Sequence, residues 1–308
     1  MNDEANNTLL TLRRMFEEDM VHDPGTQGIP EWLAAGIQHA GVHVTIVAQR
    51  AYRLRALAID QPALILPLAG TKRVELGTAR AQLAAGEFLM IHQAIRLQVE
   101  NIPPAHTGKA YCAWAIPFPW RIVELARALL NAHSVPAAYA PLPHGSNRPL
   151  SFSSGSIAGL LPTLKQLLEL LTSSNASDAA LIDHALLGVL IALARNGHSH
   201  FLLASDPSVS ARIRLLVASA PEREWNSADF EEVLHMSGAT LRRRLAEENS
   251  SLRALLREAR LHHGLVLLQT SRKPLKAIAQ ACGYRSAPSF TRNFIDHFGV
   301  EPSAIAIR

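Results

Sequence analysis

Cysteine is almost missing from this chain: among 308 residues only Cys112 and Cys282 carry thiols. Two residues so far apart build neither a disulfide framework nor a four-cysteine metal site. They fit a reducing, cytoplasmic setting in which both act as small core hydrophobes. Charge is sparse as well, at 18% Asp, Glu, Lys and Arg against 48% hydrophobic residues, which excludes a disordered chain and supports a sizeable core. The polar, acidic opening Asn2-Asp3-Glu4 is no secretory leader. Long apolar runs are lacking too. The longest, Ala179–Ala194, is interrupted by Asp183 and His184 and is too short to cross a bilayer, so no membrane partner is expected.

Catalytic patterns are equally scarce. No Ser/His/Asp order and no glycine-rich phosphate loop stands out. In the strand-rich part, His43, His92 and His106 occur singly, without the His-x-His pair of a metal-dependent cupin enzyme. His198-Ser199-His200 has that spacing but follows a helical stretch and reads as a solvated helix end. His262 and His263 are adjacent on a helix, so they point to different faces and cannot chelate one ion together. The expectation is a protein that is not an enzyme, with no catalytic residue, no metal ligand and no cofactor. A metal-dependent cupin enzyme with a helical extension is the contrasting class; metal analysis set against a DNA shift assay separates the two.

What is present divides the chain. Its length favours two domains. The net charge of +4 lies wholly after position 204, where fifteen Lys/Arg face eleven Asp/Glu; between Ser237 and His297 the count is eleven basic to four acidic. That segment is where a polyanion would be drawn.

Along the chain, residues 5–20 read as an amphipathic helix, with Leu9, Leu12, Met15 and Phe16 on one face, and Pro30 opens a further helical turn. Eight short apolar or alternating runs follow: Val42–Gln49, Arg53–Ile59, Ala63–Leu68, Lys72–Leu76, Ala79–Leu83, Glu87–His92, Ile95–Glu100 and Lys109–Ile116. Close glycine and proline punctuation makes them the strands of a sandwich or barrel. The run Leu83–His92 resembles the strand-turn-strand of cupin-type jelly rolls. Arg121–Asn131 reads as a helix and residues 132–155 as a loop. Ser156–Leu171 and Ser177–Arg195 read as a helical pair whose wide apolar faces need a cover, either the sensor domain or, slightly favoured, a second copy of the chain. The expected architecture is multidomain α and β. An N-terminal jelly-roll β domain covers 1–131, a linker and dimerising helical pair 132–204, and an all-α domain 205–308.

The last hundred residues hold two helix-turn-helix patterns around a long helix, about Ser251 to Thr270. The first runs from Phe230 to Leu245, the second from Ile278 to Phe294. Superposed, Ser237, Leu241, Arg243 and Leu245 fall on Ser286, Phe290, Arg292 and Phe294. A serine caps each second helix, apolar residues four and eight later hold it to a core, and an arginine six later points outward. Ala279 and Gly283 supply the small residues of the second turn, whereas Glu231 and His235 stand near the matching places of the first.

On these residues, 208–308 resembles the DNA-binding domain of the AraC/XylS family of bacterial transcriptional regulators. The stretch Gly283–Phe294 with Phe298-Gly299-Val300-Glu301-Pro302 carries the likeness; Ile305-Ala306 departs from it where an aromatic-arginine pair is usual. The resemblance implies sequence-specific binding of promoter or operator double-stranded DNA, a jelly-roll effector domain, RNA polymerase as a partner, a homodimer, and activation of transcription, which no residue by itself decides. It places base-facing positions on Ala239, Arg242 and Arg243, with Arg244 less centred, and on Ala287, Pro288 and Arg292. Ser237, Thr240, Arg285, Ser286 and Ser289 complete the expected DNA-contacting set. The first reading helix is expected to discriminate sequence more than the second, which offers Arg292 and backbone grip. For a small-molecule effector inside the barrel, the candidates are Arg53, Arg55, His92, Arg96, Tyr111 and Trp114, with Arg53 and Arg55 favouring an anion if they face inward. A barrel that binds nothing and serves association alone is the other reading.

Overall fold

The computed structural model describes residues 44–105, 109–132, 151–172, 178–203, 207–221 and 223–307. The helix expected over 5–20 and the turn at Pro30 lie outside them.

Eight strands form where the alternation places them: β1 (Val44–Ala48), β2 (Tyr52–Ile59), β3 (Ala63–Ala69), β4 (Thr71–Leu76), β5 (Ala79–Ala84), β6 (Glu87–Ile91), β7 (Ile95–Ile102) and β8 (Tyr111–Pro117). They pair into two antiparallel sheets, β1-β8-β3-β6 and β2-β7-β4-β5, the strand order of a jelly roll. A ninth strand, β9 (Phe152–Ser156), extends the first sheet beside β6. It falls where the sequence reads as loop, because Phe-Ser-Ser-Gly-Ser has no apolar alternation. Its backbone pairing, Glu87 opposite Ser156 through Ile91 opposite Phe152, makes the strand.

The first sheet is buried on both faces. Leu64, Leu66, Phe88, Met90, Trp114 and Ile116 point to one side, while Ile65, Leu89, Ile91, Tyr111 and Ala113 point to the other. This explains the unbroken apolar run of β3, which alternation alone would not give. Helices α1 (Trp120–Ala132), α2 (Leu161–Thr172) and α3 (Ala179–Arg195) cover the outer side. Leu164, Leu167 and Leu168 of α2 and Leu186, Val189, Leu190 and Leu193 of α3 are buried there. The apolar faces of the helical pair are therefore covered within one chain, by the first sheet, rather than left for a second copy. Asp178 caps α3, accepting from the backbone N–H groups of Ala180 and Leu181.

The carboxyl-terminal part is all helical: α4 (Val209–Ser219), α5 (Ser227–Leu234), α6 (Gly238–Glu247), α7 (Leu252–Thr270), α8 (Leu275–Ala281), α9 (Ala287–Phe298) and α10 (Pro302–Ile305). Two cores sustain it. Val209, Ile213, Val217, Phe230, Leu241, Leu245 and Leu255 close a core within the helical domain. Phe290, Phe294 and Phe298 of α9 and Leu261, Leu265 and Leu268 of α7 instead join Tyr52, Leu54, Val74 and Val99 of the β domain in one continuous core. Helix α7 packs on β1 and α9 on β2.

Polar groups are threaded through this junction. Arg214 of α4 donates to Asp60 at 2.8 Å and lies 3.4 Å from Glu258 of α7, whose Oε2 also accepts from Arg96 of β7 at 2.6 Å. Burial raises the Asp60 carboxyl above its ordinary range while Arg214 opposes that rise. Only 10% of the Arg214 side chain and 7% of that of Glu258 are exposed, so removing one partner strands charge in a dry site. Arg214→Met is expected to cost about 3–5 kcal/mol, the usual penalty for breaking a buried pair from one side. Urea denaturation of the full chain reads it; a loss below about 1 kcal/mol would mean the network carries no weight.

Candidate nucleic-acid interface and ligand cavity

Helices α5 and α6 form one helix-turn-helix, α8 and α9 the other. Asn226 and Asp229 make a capping box that starts α5. The first turn lacks a glycine at its tightest point, and His235 takes the left-handed conformation there, at φ 52°. The small residue has moved to Gly238, where an added Cβ would meet the Glu231 carboxylate. In the second turn Gly283 holds φ 73°, which a side chain would strain. Ser237 accepts from the Thr240 N–H at 3.3 Å and Ser286 from the Ser289 N–H at 3.4 Å, so each serine caps its reading helix.

Leu241 and Leu245 bury one side of α6. At about 100° per residue the opposite side is centred on Arg243, flanked by Ala239 and Arg242 on one hand and by Thr240 and Arg244 on the other. Thr240 is half-buried and the other four are exposed. On α9, Phe290, Phe294 and Phe298 face inward. Arg285, Ser286, Pro288, Ser289 and Arg292 are exposed, while Ala287 is half-buried near the core side. The outward stripe of α9 thus carries one arginine and, at its far end, exposed Asp296; that of α6 carries three arginines. Nineteen residues of α7 make a rod of roughly 28 Å between the two units, near the ~34 Å repeat of groove faces on one side of B-DNA. The reading end of α9 is open; its far end, at Phe298-Gly299, meets the β domain, with Gly299 against Arg55.

A cavity of about 750 Å³ lies between the sheets and α7. Apolar Leu54, Ile65, Val74, Leu89 and Val99 line its depth. It extends to the mutually paired Arg121 and Asp183 on α1 and α3. Lys72, only 3% exposed, lies in that lining and donates to Asn101 Oδ1 at 2.8 Å. Asn101 in turn donates to the Tyr52 hydroxyl at 2.8 Å, and Gln269 of α7 donates to the same oxygen at 2.6 Å. Burial pushes the Lys72 ammonium down to about 7.

None of the six sequence candidates for effector contact lines this cavity. Arg53 and Arg55 do share a face, but period-two alternation from buried Tyr52 and Leu54 turns it outward. Arg53 pairs with Glu75 and Gln98 on the surface of the second sheet. Arg96 pairs with Glu258. Trp114 packs under α1–α3 on the far side of the first sheet. Tyr111 is buried beneath Lys72, whose ammonium sits 5.8 Å from its ring centroid. His92 hydrogen-bonds Ser153 at 2.9 Å beside His198, and burial pushes it down to about 3. His198 is accordingly no solvated helix end; its ring packs edge-on against Phe88. Lys72 and Asn101 escaped the sequence reading although the signal was available: each sits two residues from an inward valine, Val74 and Val99, on alternating strands.

The carboxyl-terminal part is a helix-turn-helix domain similar to those of AraC/XylS-family regulators, and it follows a two-sheet jelly roll. Residues 231–306 match the family model described as "Helix-turn-helix domain". The chain is 30% identical over 100 residues to the virulence regulon transcriptional activator VirF of Shigella flexneri, a match spanning 32% of this chain and 38% of that protein. Among solved structures it is similar to an apo, singly substituted form of ToxT of Vibrio cholerae (TM-score 0.55, 15% identity, 85% of this chain and 94% of that one). It is also similar to ToxT bound to an unsaturated fatty acid (TM-score 0.52, 15% identity, 85% and 93%). At such identity these two likenesses define the fold.

Gly264 of α7 gives a direct check on the second unit. A Cβ there would come within 2.6 Å of the Phe290 ring and 3.2 Å of Cys282 Sγ. Gly264→Ala is expected to destabilise by about 1–3 kcal/mol through overpacking and to weaken DNA binding through α9, with α6 undisturbed. Thermal melting and an anisotropy titration read both; an unchanged melting midpoint would refute the packing.

Proposed function

We propose that the protein is a sequence-specific DNA-binding transcriptional activator, with α6 and α9 placed in successive major-groove faces of one promoter duplex. The observation that carries this reading is the pair of serine-capped helices whose exposed stripes present Arg242, Arg243, Arg244 and Arg292. VirF, similar to this chain over 100 residues, is named a transcriptional activator. RNA polymerase is the partner that activation requires. Helix α6 supplies most of the base discrimination through bidentate arginine, the commonest specific contact with guanine. Helix α9 adds Arg292 and phosphate grip from its capped amino end.

The chain's own upstream DNA, titrated by fluorescence anisotropy at several salt concentrations, tests the reading. Specific binding is expected, with a log–log salt slope of about −0.9 per phosphate neutralised. Arg243→Ala is expected to cost about 1–3 kcal/mol and to relax discrimination at one base pair, whereas Arg292→Ala weakens all sequences alike. Equal affinity for promoter and random DNA sinks the proposal; equal base sensitivity in both half-sites sinks the division of labour.

The effector we infer is an apolar carboxylate. The cavity volume lies in the usual range for small-molecule sites, its depth is apolar, and it holds one buried ammonium with no anionic partner among its hydrogen bonds. ToxT, which shares the fold, has been crystallised with an unsaturated fatty acid. A carboxylate at Lys72 would sit one hydrogen bond from Asn101 and two from Tyr52, which Gln269 of α7 also contacts. Ligand binding thereby biases how the β domain holds the connector helix, provided the ligand favours one arrangement over the other.

The sign of the pH dependence follows from Lys72. Below about pH 7 the ammonium is charged in the free protein and carboxylate affinity is at its plateau. Above it, binding must take up a proton, so affinity falls about tenfold per pH unit until the raised value of the complex is reached. Calorimetry with a long-chain unsaturated fatty acid from pH 6 to 9 measures the slope, and Lys72→Met is expected to abolish both slope and affinity. A flat profile, or binding untouched by K72M, refutes the assignment.

A further inference from the structure

The junction between connector and second reading helix holds a group of side chains that neither DNA reading nor the cavity lysine uses. Glu258 and His262 stand four residues apart on α7 and so share a face. His297, in the last turn of α9, comes over the same spot. Glu258 Oε1 lies 4.0 Å from His262 Nε2 and 3.9 Å from His297 Nε2, and the three atoms all fall within 4.8 Å of one another.

Three facts set this group apart from ordinary packing. First, Glu258 is more than nine-tenths buried, yet its Oε1 has no hydrogen-bond partner; nor has His297 Nε2. Second, the other carboxylate oxygen is fixed by Arg96 at 2.6 Å and approached by Arg214 at 3.4 Å, which aims Oε1 into the triangle. Third, His262 Nε2 accepts a long 3.5 Å contact from the Ala58 N–H, so its lone pair, not a proton, occupies that side of the ring. Oε1 and His262 Nε2 stand 4.0 Å apart with no donor between them among the described residues, and an ion would take the lone pair from the long Ala58 contact.

The geometry points to a divalent transition-metal site of the two-histidine, one-carboxylate type, formed by Glu258, His262 and His297 at the joint of α7 and α9. Metal–ligand bonds of about 2.0–2.2 Å put ligand atoms roughly 3.3–3.5 Å apart around zinc, so the two gaps to Glu258, 4.0 and 3.9 Å, close by about half an ångström and the widest separation, within 4.8 Å, by up to about 1.4 Å. One-fifth of each histidine side chain is exposed, while Glu258 Oε1 and His297 Nε2 are themselves buried. The arginines on the second carboxylate oxygen reduce its donor strength, so binding is reversible rather than a condition of folding. A bound ion would tie the far end of α9 to α7 next to Ala58 of β2. The metal would then set the angle of the second reading helix against the β domain. His262 also lines the cavity, so the two sites share a wall, but the site uses none of the Lys72 contacts, and it departs from the sequence expectation of no metal ligand. The Glu-x-x-x-His spacing was visible there, but the third ligand comes from another helix.

The test uses the full chain, stripped with chelator and titrated with Zn²⁺, and with Co²⁺ for its visible spectrum. Expected are one ion per chain at this site and a cobalt spectrum with nitrogen ligation. His297→Phe, which keeps the aromatic contacts with His262 and Phe298, should weaken binding by more than about 100-fold, beyond the roughly 10–100-fold typical of outer-shell changes. His262→Phe should do the same. His198→Ala removes a histidine from the His92–Ser153 cluster and should leave binding unchanged. Zinc should also raise the melting temperature of the parent chain and not that of H297F. No stoichiometric binding, binding insensitive to both Phe variants, or binding lost in H198A would each overturn the proposal.

Discussion

Helix α7 is buried between two bodies, and most of what this molecule can do follows from that. Its amino-terminal half, with Leu255 and Ala259, closes the core of the first helix-turn-helix. Its carboxyl-terminal half, with Leu261, Leu265 and Leu268, belongs to a core that runs unbroken into the jelly roll. A rigid rod shared in this way cannot change its seat on the β domain without moving the second reading helix. The apolar burial is non-directional, but the polar contacts along it are specific. Gln269 reaches Tyr52, Glu258 reaches Arg96, and Arg214 reaches Asp60. Each has to be remade or left unsatisfied if the rod shifts, which makes the junction a choice between discrete arrangements rather than a soft hinge.

The two DNA-reading units are consequently unequal. Helix α6 rests on a core of its own domain and presents a strongly basic stripe. Helix α9 is less basic, and its aromatic spine of Phe290, Phe294 and Phe298 is packed into the interdomain core. One unit is thus constant while the other is coupled to the sensing half. Such an arrangement suits a regulator in which recognition is fixed and engagement is adjusted. The cavity that holds Lys72 is lined also by His262 of the Glu258–His262–His297 group, so both proposed sites bear on one helix junction and on the pose of α9.

The sequence made the fold legible wherever a single element carries its own signal. The eight jelly-roll strands were readable as alternating or unbroken apolar runs between turn residues, and the helix starts were readable because Ser208, Ser237, Ser251 and Ser286 each cap a backbone N–H. β9 was not readable, since Phe152–Ser156 owes its strand conformation to β6. The cover of the helical pair was also hidden: an apolar face states that it must be buried, not by what. The effector candidates lie off the cavity lining for a related reason. Arg53, Arg96 and Trp114 were chosen by chemical type, while the outward turn of Arg53, the ion pair of Arg96 and the outer-face packing of Trp114 depend on partners far away in the chain.

By itself, then, the sequence determined the elements, their caps, the twin reading helices and the basic bias that suits a polyanion, because these rest on spacings of three to eight residues. Only the tertiary structure decided which charged groups are dry. Lys72 and Asn101, 29 residues apart, meet at 2.8 Å inside the barrel, and Glu258 meets His297 across two helices. Burial and distance are properties of the packed chain, and they turn an ordinary lysine or histidine into a ligand site. No local pattern encodes a desolvation cost that arises only when remote segments close over the same group.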